Sequence, residues 1–419
     1  MASRHRRNET AQGASCIVDL DSDFGHDEHR TTRSDIPWIE LFIDLVFVAA
    51  LIGAGNRLLE NLGLAGLAEF TVFFTLLWWA WSGVTIHFAR RDQDDVAARL
   101  IVFVFIFAIG NLGVLAGRGL LGHTAAFALF YALARGSLAV LYADLAERDA
   151  TARRLATRFA LVFGLGAVIW AVSALVPEPW RFALWALAIA AEAGTGWLHD
   201  RDELRRHMSL DAGRLSERYG QLTLIVLGES FIKTVSGLVE GSGASFAGAA
   251  MSVLTLVFIT AVFWAYYGDV AGSTIRKGRA RLWTYLHLPL MMSIAALGVA
   301  LHPIVVYEIG RSVQPIHHNL LHICAMATFF WLAMIDLFGR TSDAIGGYGA
   351  VYARLASVAL LGLSWLLGSG LNAIFAVGLA ALACTLPVVV ESFRRPHVGA
   401  SPRASVEREK PDTAGLSER

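Results

Sequence analysis

The sequence has few charged side chains and few cysteines for its length of 419 residues. Charged residues make up 17% of the chain, against roughly 25% in soluble domains, which disfavours a soluble protein. The 35 Lys and Arg residues balance 35 Asp and Glu residues, so no net field would attract nucleic acid, and we expect no nucleic-acid partner. Cys16, Cys324 and Cys384 have no CxxC spacing, which argues against a disulfide framework and a zinc site.

The sequence also lacks the short motifs of common catalytic and cofactor sites. No Walker A, GxGxxG, GxSxG or HExxH pattern occurs in a suitable context. His318 and His322 have the i, i+4 spacing of a helical ligand pair, but no further ligand completes a metal site, and a histidine cluster at the membrane interface is the simpler interpretation. We therefore expect no enzyme activity, no metal and no cofactor.

Long apolar runs fill the middle of the chain, and 55% of all residues are hydrophobic. A helix needs about 20 residues to cross a hydrocarbon core of roughly 30 Å. Twelve runs of about this length predict an all-α, polytopic integral membrane protein with about twelve transmembrane helices. The runs lie near residues 37–55, 67–88, 100–117, 124–145, 159–176, 180–198, 219–239, 247–267, 283–302, 318–338, 352–368 and 371–391.

Lys and Arg residues are unevenly distributed among the connections between these runs. The two tails and every second connection hold 29 of the 35, whereas the other six connections together hold 4. Cytoplasmic loops carry the excess of positive charge in membrane proteins. Both termini are therefore expected in the cytoplasm.

Short matches at similar offsets, between 182 and 200 residues, indicate an internal duplication. Leu112-Gly113-Val114 matches Leu297-Gly298-Val299, and Trp79-Ala80-Trp81 resembles Trp264-Ala265-Tyr266. These matches predict two six-helix repeats, which share one orientation because six is even. The predicted divisions are a disordered cytoplasmic tail (1–35), a first six-helix repeat (36–200), a basic cytoplasmic linker (201–218), a second six-helix repeat (219–395) and a disordered cytoplasmic tail (396–419).

Six of the ionisable side chains inside predicted spans stand out, because a charged group at membrane depth costs about 2.5 to 3.5 kcal/mol on insertion scales. Such groups usually face the interior of the helix bundle or a wet cavity. We therefore take them as candidates for lining a path for an ion or solute. They are Glu40, Asp44, Arg135, Glu192, Glu229 and Lys233.

The two carboxylates of the first span lie at i and i+4, on one helix face. Glu40 and Asp44 would repel each other there, so either one is protonated or both meet a cation or Arg135. The alternative for Glu40 is a position at the membrane interface, near the helix N-terminus, where negative charge is favoured.

The seventh span contains an acidic and a basic residue in the order that favours a helical ion pair. Glu229 precedes Lys233 by four residues. Both a structural pair and a role in binding or conducting ions are consistent with this spacing. Gly228 is expected to let a neighbouring helix approach closely. Arg135 and Glu192 are a second possible pair, from the fourth and sixth spans.

Two segments around these charges resemble the hallmark segments of a known family. They are Trp38-x-Glu40-Leu41-Phe42-x-Asp44-Leu45-Val46-Phe47-Val48, and Glu217-Arg218-Tyr219-Gly220 through Leu227-Gly228-Glu229-Ser230. The family is the bacterial low temperature requirement A (LtrA) protein family. Phe263-Trp264-Ala265-Tyr266-Tyr267-Gly268-Asp269 and His287 agree further, and the similarity covers roughly residues 33–395.

The resemblance implies a multi-pass protein integral to the bacterial cytoplasmic membrane, and it implies no substrate. It marks as motif positions Trp38, Phe42, Arg218, Gly220, Gly228 and His287. Two positions depart from the family pattern: Tyr219 replaces a usual Phe, and Lys233 stands where a less charged residue is expected.

These observations favour a transporter or channel-like protein that moves a small ion or solute along a path lined by Asp44, Glu229 and Arg135. Twelve spans with several buried charges exceed what a membrane anchor needs. The alternative is a non-transporting structural or stress-response membrane protein, whose buried charges only lock helices together. The expected partners are the lipid bilayer and a small ion or solute, and a homo-oligomer is left open.

Overall fold

The structure is a computed structural model. It describes residues 38–90, 95–120, 122–198, 207–241, 245–268, 270, 275, 279–339, 348–368 and 370–394, without the side chains of 195–198 and 394. The two tails predicted as disordered, 1–35 and 396–419, lie outside the described residues.

Twelve α-helices make up most of the described residues, which confirms the all-α prediction. In chain order they are α1 (Trp38–Glu60), α2 (Leu64–Arg90), α3 (Val96–Arg118), α4 (Thr124–Arg148), α5 (Arg153–Ser173), α6 (Trp180–Leu198), α7 (Ala212–Glu240), α8 (Phe246–Tyr267), α9 (Ala280–Tyr307), α10 (Pro315–Gly339), α11 (Gly349–Leu366) and α12 (Ala373–Arg394).

Eleven of the twelve described helices are long and apolar enough to cross a membrane. The remaining one is α6, which has 19 residues and includes Arg181 and Glu192. Both charges have partners in the structure: Arg181 contacts Glu178, and Glu192 pairs with Arg135. The lower hydropathy of α6 therefore reflects polar groups that neighbouring elements satisfy.

Large apolar side chains cover the outside of the bundle as well as its core. Phe103 and Phe107 of α3 are 52% and 59% exposed, whereas Trp78 and Trp81 of α2 are fully buried. Helices that are apolar all round are typical of membrane spans. The described bundle is thus that of a multi-pass membrane protein.

The first six helices and the last six pack in a similar order, except that α8 packs closely on α12 whereas α2 does not pack closely on α6. In the first half (α1 to α6), α1 packs on α3, and α3, α4, α5 and α6 pack in series. In the second half (α7 to α12), α7 packs on α9, and α9, α10, α11 and α12 pack in series. Helices α1 and α2 contact α7 and α9, so these four helices join the halves.

The first helix of each half runs in the same direction. Arg214, near the start of α7, pairs with Glu40 near the start of α1. Lys233, about three-quarters of the way along α7, bonds to Asn56 near the end of α1. We call the end of the bundle where α1 and α7 begin the first face, and the opposite end the second face.

A glycine brings the third helix of each half against the first. A Cβ atom added to Gly113 of α3 would lie 2.4 Å from the Cα atom of Ala50 in α1. A Cβ atom added to Gly298 of α9 would lie 2.5 Å from the Cα atom of Ser230 in α7. Small residues allow such close backbone approach between membrane helices, so both contacts require glycine.

Helix α7 begins at Ala212, within the segment predicted as a linker. Asp211 caps it, because its carboxylate accepts the Arg214 N–H at 3.0 Å, and its own N–H donates to the Ala89 carbonyl at 2.9 Å. The basic composition of residues 212–218 is typical of a loop, but Arg214 and Arg218 are buried against carboxylates.

Candidate functional site

The two hallmark segments meet where α1 contacts α7. Glu40 and Asp44 lie on one face of α1, and both are fully buried. Arg214 of α7 pairs with Glu40. The Nη2 atom of Arg218 lies 2.7 Å from Oδ1 of Asp44, and it also donates to the Glu40 carbonyl at 3.0 Å. Each carboxylate therefore has an arginine partner from the other half of the molecule.

Asp44 receives a further hydrogen bond from α2. The indole Nε1 of Trp81 donates to Asp44 Oδ1 at 2.7 Å. The Trp81 ring packs against Phe47 and meets the Tyr219 ring edge-on at 4.9 Å. We call Glu40, Asp44, Trp81, Arg214 and Arg218 the motif cluster. The suggestion that Arg135 neutralises Asp44 is wrong, because Arg218 and Trp81 hold this carboxylate.

Aromatic side chains surround the motif cluster toward α8 and α9. Tyr219 shares a 2.7 Å hydrogen bond with Ser82, and its ring packs on His287. Nδ1 of His287 lies 2.8 Å from the Trp283 carbonyl, which only accepts, so Nδ1 carries a proton. In the neutral ring Nε2 then accepts from the Tyr266 hydroxyl at 3.2 Å.

Tyr267 of α8 ties the second hallmark segment to the neighbouring helix. Its hydroxyl donates to the carbonyl of Gly220 at 2.5 Å. The segments of α1, α7, α8 and α9 that resemble the family therefore converge on one region between the halves. Proximity along the chain does not explain this convergence, since α1 and α7 are more than 150 residues apart.

A second group of polar side chains lies further along the same two helices. Nζ of Lys233 is 3.4 Å from Oε1 of Glu229 and donates to Oδ1 of Asn56 at 2.7 Å. We call Asn56, Glu229 and Lys233 the second-face cluster. It borders a cavity of about 10 Å³ with apolar walls that include Val48 and Val226. This is about the volume that one water needs.

Arg135 and Glu192, which the sequence left as a possible pair, contact each other inside the first half. Nη2 of Arg135 lies 2.5 Å from Oε2 of Glu192, and Trp79 Nε1 donates to the same oxygen at 2.8 Å. The guanidinium packs over the rings of Tyr131 and Phe163. Because α4 and α6 supply this pair, it lies apart from the contact between α1 and α7.

Three motif positions have a different environment from the rest. Trp38 and Phe42 are 87% and 44% exposed on the outer side of α1. A Cβ atom added to Gly228 would meet no heavy atom within 4 Å. The expectation that Gly228 allows a close helix contact is therefore wrong. Gly298 makes that contact instead, against Ser230.

The second half has a buried charge cluster that the sequence reasoning missed. Arg354 of α11 pairs with Asp336 of α10 and lies 3.6 Å from Glu391 of α12. Its Nη2 atom also donates to the Ala265 carbonyl of α8 at 2.6 Å. A signal was present, because all three ionisable residues lie inside predicted spans, close to their ends.

The histidines of α10 have partners within the protein. Nδ1 of His322 contacts the His318 carbonyl at 2.9 Å, and Nε2 contacts Oγ of Ser364 at 3.0 Å. His317 lies 2.7 Å from Glu308. Across the described residues, no group of three or more His, Cys, Asp and Glu side chains could hold a metal ion.

Comparison with known proteins supports the family resemblance of the two hallmark segments. The model of the family described as bacterial low temperature requirement A protein (LtrA) matches residues 35–388. The chain is also similar to the uncharacterized protein RA0937 of Rhizobium meliloti (strain 1021), with 28% identity over 315 residues. That match covers 68% of this chain and 73% of the relative.

Proposed function

The chain belongs to the bacterial low temperature requirement A family of multi-pass membrane proteins, and from this premise we propose that it is a transporter or channel-like protein for a small ion or solute. The observation that carries the proposal is the position of the second-face cluster. Its ionisable pair, Glu229 and Lys233, borders a small cavity between the halves. Charged side chains inside the membrane are costly, and they commonly mark the path of an ion or substrate.

The two clusters define the proposed path. Asp44 of the motif cluster and Gly55 beside the second-face cluster are eleven residues apart on α1, or about 16 Å at 1.5 Å per residue. Val48, Leu51 and Val226 lie between them and line the cavity. We propose that these apolar side chains close the path in this conformation, and that a shift of α1 against α7 opens it.

We also propose that the chain is a six-plus-six duplication, which would favour a path at this position, because transporters built from repeats bind substrates between the repeats. Gly113 and Gly298 lie in matching tripeptides and make the same contact on the first helix of their half. The other two matching tripeptides, Trp79-Ala80-Trp81 and Trp264-Ala265-Tyr266, each bond to a buried arginine. The Trp79 carbonyl accepts from Arg135, and the Ala265 carbonyl accepts from Arg354.

We further propose that the protein lies in the bacterial cytoplasmic membrane with the first face in the cytoplasm. Every basic connection follows an even-numbered helix, and the basic N-terminal tail precedes α1 in the sequence. Cytoplasmic loops carry the excess of Lys and Arg. In a variant with serine at the native cysteines, a cysteine at Arg148 should be labelled from the cytoplasmic side alone. Cysteines at Arg118 and Arg311 should be labelled from outside. The reverse labelling would contradict the orientation.

Flux measurements on purified protein in liposomes test the transport proposal. Proteoliposomes loaded with indicators for H⁺, Na⁺, K⁺ and Cl⁻ should carry one of these ions faster than empty liposomes. Glu229→Gln should abolish that flux while the protein stays folded. Asp95→Asn is the matched control, since Asp95 precedes α3 outside the proposed path, and it should leave the flux unchanged. Equal flux in wild type and Glu229→Gln would contradict the role of Glu229.

The alternative, a structural or stress-response protein without transport, is favoured by one observation. In the motif cluster each carboxylate has an arginine partner, as a cluster that only locks helices would require. Wild-type protein that carries none of these ions, or solutes of similar size, would favour this alternative.

A further inference from the structure

Helix α7 carries a row of side chains from the second-face cluster to its own C-terminal end. Glu229, Lys233, Gly237 and Glu240 follow one another at spacings of four, four and three residues, so they lie along one side of the helix. The Glu240 side chain is 57% exposed, whereas those of Glu229 and Lys233 are 12% and 11% exposed. The row therefore leads from the surface at the second face to the buried pair.

His302 of α9 lies over the gap that Gly237 leaves in this row. A Cβ atom added to Gly237 would lie 3.5 Å from Cδ2 of the His302 ring. Nε2 of His302 lies 3.7 Å from Oε2 of Glu240, and the charge of Lys233 also acts on the ring. The imidazole is thus placed between the exposed carboxylate of Glu240 and the second-face cluster.

The same side of α9 continues into the cavity beside the second-face cluster. Ala295 and Val299 line that cavity, and His302 follows them at the spacing of one helix face. Pro303 has no N–H, so it leaves the Val299 carbonyl without its usual helical donor. Nδ1 of His302 is buried and bonds to no described residue. Both groups can bond to a water at this end of the cavity.

Charged groups of the other helices that pack against α9 have partners of their own. These helices are α1, α2 and α10. Arg57 of α1 pairs with Glu69 of α2. Glu308, at the end of α9, bonds to His317 of α10. The charges that act on His302 are those of the row on α7.

The size of the cavity and the order of the charges favour H⁺ over larger ions. About 10 Å³ holds one water but no hydrated ion. The row alternates carboxylate, ammonium and carboxylate, so a metal cation or an anion would meet a group of like charge. A proton needs no space of its own, because it passes between titratable groups directly or through a water.

We propose that the transported ion is H⁺ and that Glu240 and His302 pass it between the second face and Glu229. The proposal rests on the transport function proposed above and names its ion. Rotation of the exposed Glu240 side chain, or one water, closes the gap to His302. The imidazole accepts a proton at one ring nitrogen and releases one from the other, so it returns to its neutral form. The Glu229 carboxylate accepts the released proton through a water, and Lys233 keeps its bond to Asn56.

Proton flux into liposomes that contain the purified protein and a pH indicator tests the relay. A pH gradient is imposed, with K⁺ and valinomycin to balance the charge. His302→Gln should slow the flux of the wild type about 100-fold, the lower end of what a positioned proton-transfer group contributes. His123→Gln is the matched control, because His123 precedes α4 at the same face and lies outside the path. It should leave the flux unchanged.

A second variant separates a relay from a structural role. Glutamate and glutamine have nearly the same shape, but only glutamate titrates. His302→Glu should therefore retain a measurable part of the H⁺ flux that His302→Gln loses. Unchanged H⁺ flux in His302→Gln, or equal loss in both variants, would overturn the relay.

Two further results distinguish this inference from the transport function on which it rests. A flux of Na⁺, K⁺ or Cl⁻ that Glu229→Gln abolishes and His302→Gln leaves unchanged would overturn the assignment of H⁺, and the transport function would stand. Wild-type protein that carries none of the four ions would contradict both.

Discussion

The motif cluster and the second-face cluster lie on the same two helices but hold their charges in different ways. In the motif cluster the four charged side chains are at most 8% exposed, and Asp44 accepts from both Arg218 and Trp81. In the second-face cluster Glu229 and Lys233 are 12% and 11% exposed, 3.4 Å apart, beside a cavity. One cluster is closed by protein donors, and the other has room for water.

The difference between arginine and lysine matches this contrast. Arginine offers a planar fork that can bridge two acceptors, as Arg218 bridges Asp44 and the Glu40 carbonyl. Lysine is a compact charge on a flexible chain, and Lys233 divides its contacts between Glu229 and Asn56. We infer that the motif cluster fixes α1 against α7 at the first face, whereas the second-face cluster can change partners and so allows the two helices to shift there.

The largest effect is expected from removing the arginine of the motif cluster. Arg218→Met leaves the Asp44 carboxylate buried without its charged partner, and breaking a buried pair costs about 3–5 kcal/mol. Thermal unfolding in detergent should therefore occur at a much lower temperature. Adding Asp44→Leu should recover part of the stability, since Glu40 still has Arg214. A single variant as stable as the wild type would remove the contrast between the clusters.

The sequence predicted the fold better than it predicted the contacts of the site. Span positions depend on local composition, so the twelve predicted runs correspond to the twelve described helices. The Glu229–Lys233 pair was predictable as well, because four residues is one turn of the same helix. Each of these predictions needed information from one segment of chain.

The partner of Asp44 could not be predicted in this way. Arg218 is 174 residues away, and its position next to a basic segment made it resemble a loop residue. Only the packing of α1 on α7 identifies it as the buried counter-charge. The same holds for Arg354, whose partners come from three other helices. Pairing between distant spans depends on tertiary structure, which spacing along the chain does not encode.

A smaller loss of stability is expected where α9 supports α7 next to the second-face cluster. In Gly298→Ala the added methyl group meets the backbone of Ser230, and overpacking of this kind costs about 1–3 kcal/mol. Gly228→Ala, on α7 itself, is the matched control. It meets no neighbour, so the helix should be stabilised by about 0.5–1 kcal/mol. Unfolding curves for the two variants that shift in the same direction would contradict the close approach of α7 and α9.

The second-face cluster should tolerate loss of its lysine better than the motif cluster tolerates loss of its arginine. Lys233→Leu leaves Glu229 partly exposed beside a cavity of about the volume of one water. We expect a cost of about 1 kcal/mol, near the upper end for exposed pairs and below that of a buried pair. The measurement is the unfolding temperature of Lys233→Leu in detergent, compared with that of Arg218→Met.

A double variant then separates a structural lock from a functional site. Lys233→Leu with Glu229→Leu should restore the stability, because no unpaired charge is left. Ion flux should stay absent if Glu229 lines the path. Recovery of both stability and flux in the double variant would assign the pair a structural role alone.

The smallest effect is expected from an exposed pair outside both clusters, which provides the baseline for the comparison. Asp95 caps α3 by accepting the Ala98 N–H at 2.8 Å, and it also contacts Arg148. This backbone hydrogen bond, with a smaller contribution from Arg148, lowers the pKa of Asp95 below its usual range. The capped helix is therefore stabilised above the usual pKa of an aspartate, about 3.9, and this stabilisation is lost as the pH falls through the lower pKa of the folded state.

Asp95→Ala should thus lower the unfolding temperature slightly at pH 7, less than either cluster variant. At pH values below the pKa of Asp95 in the folded protein, the wild type and Asp95→Ala should converge. Asp95→Asn retains a side-chain oxygen for the cap, so it should fall between the wild type and Asp95→Ala at pH 7. A loss in Asp95→Ala as large as that in Lys233→Leu would mean that the second-face cluster contributes no more than an exposed pair, and the contrast drawn from its burial would fail.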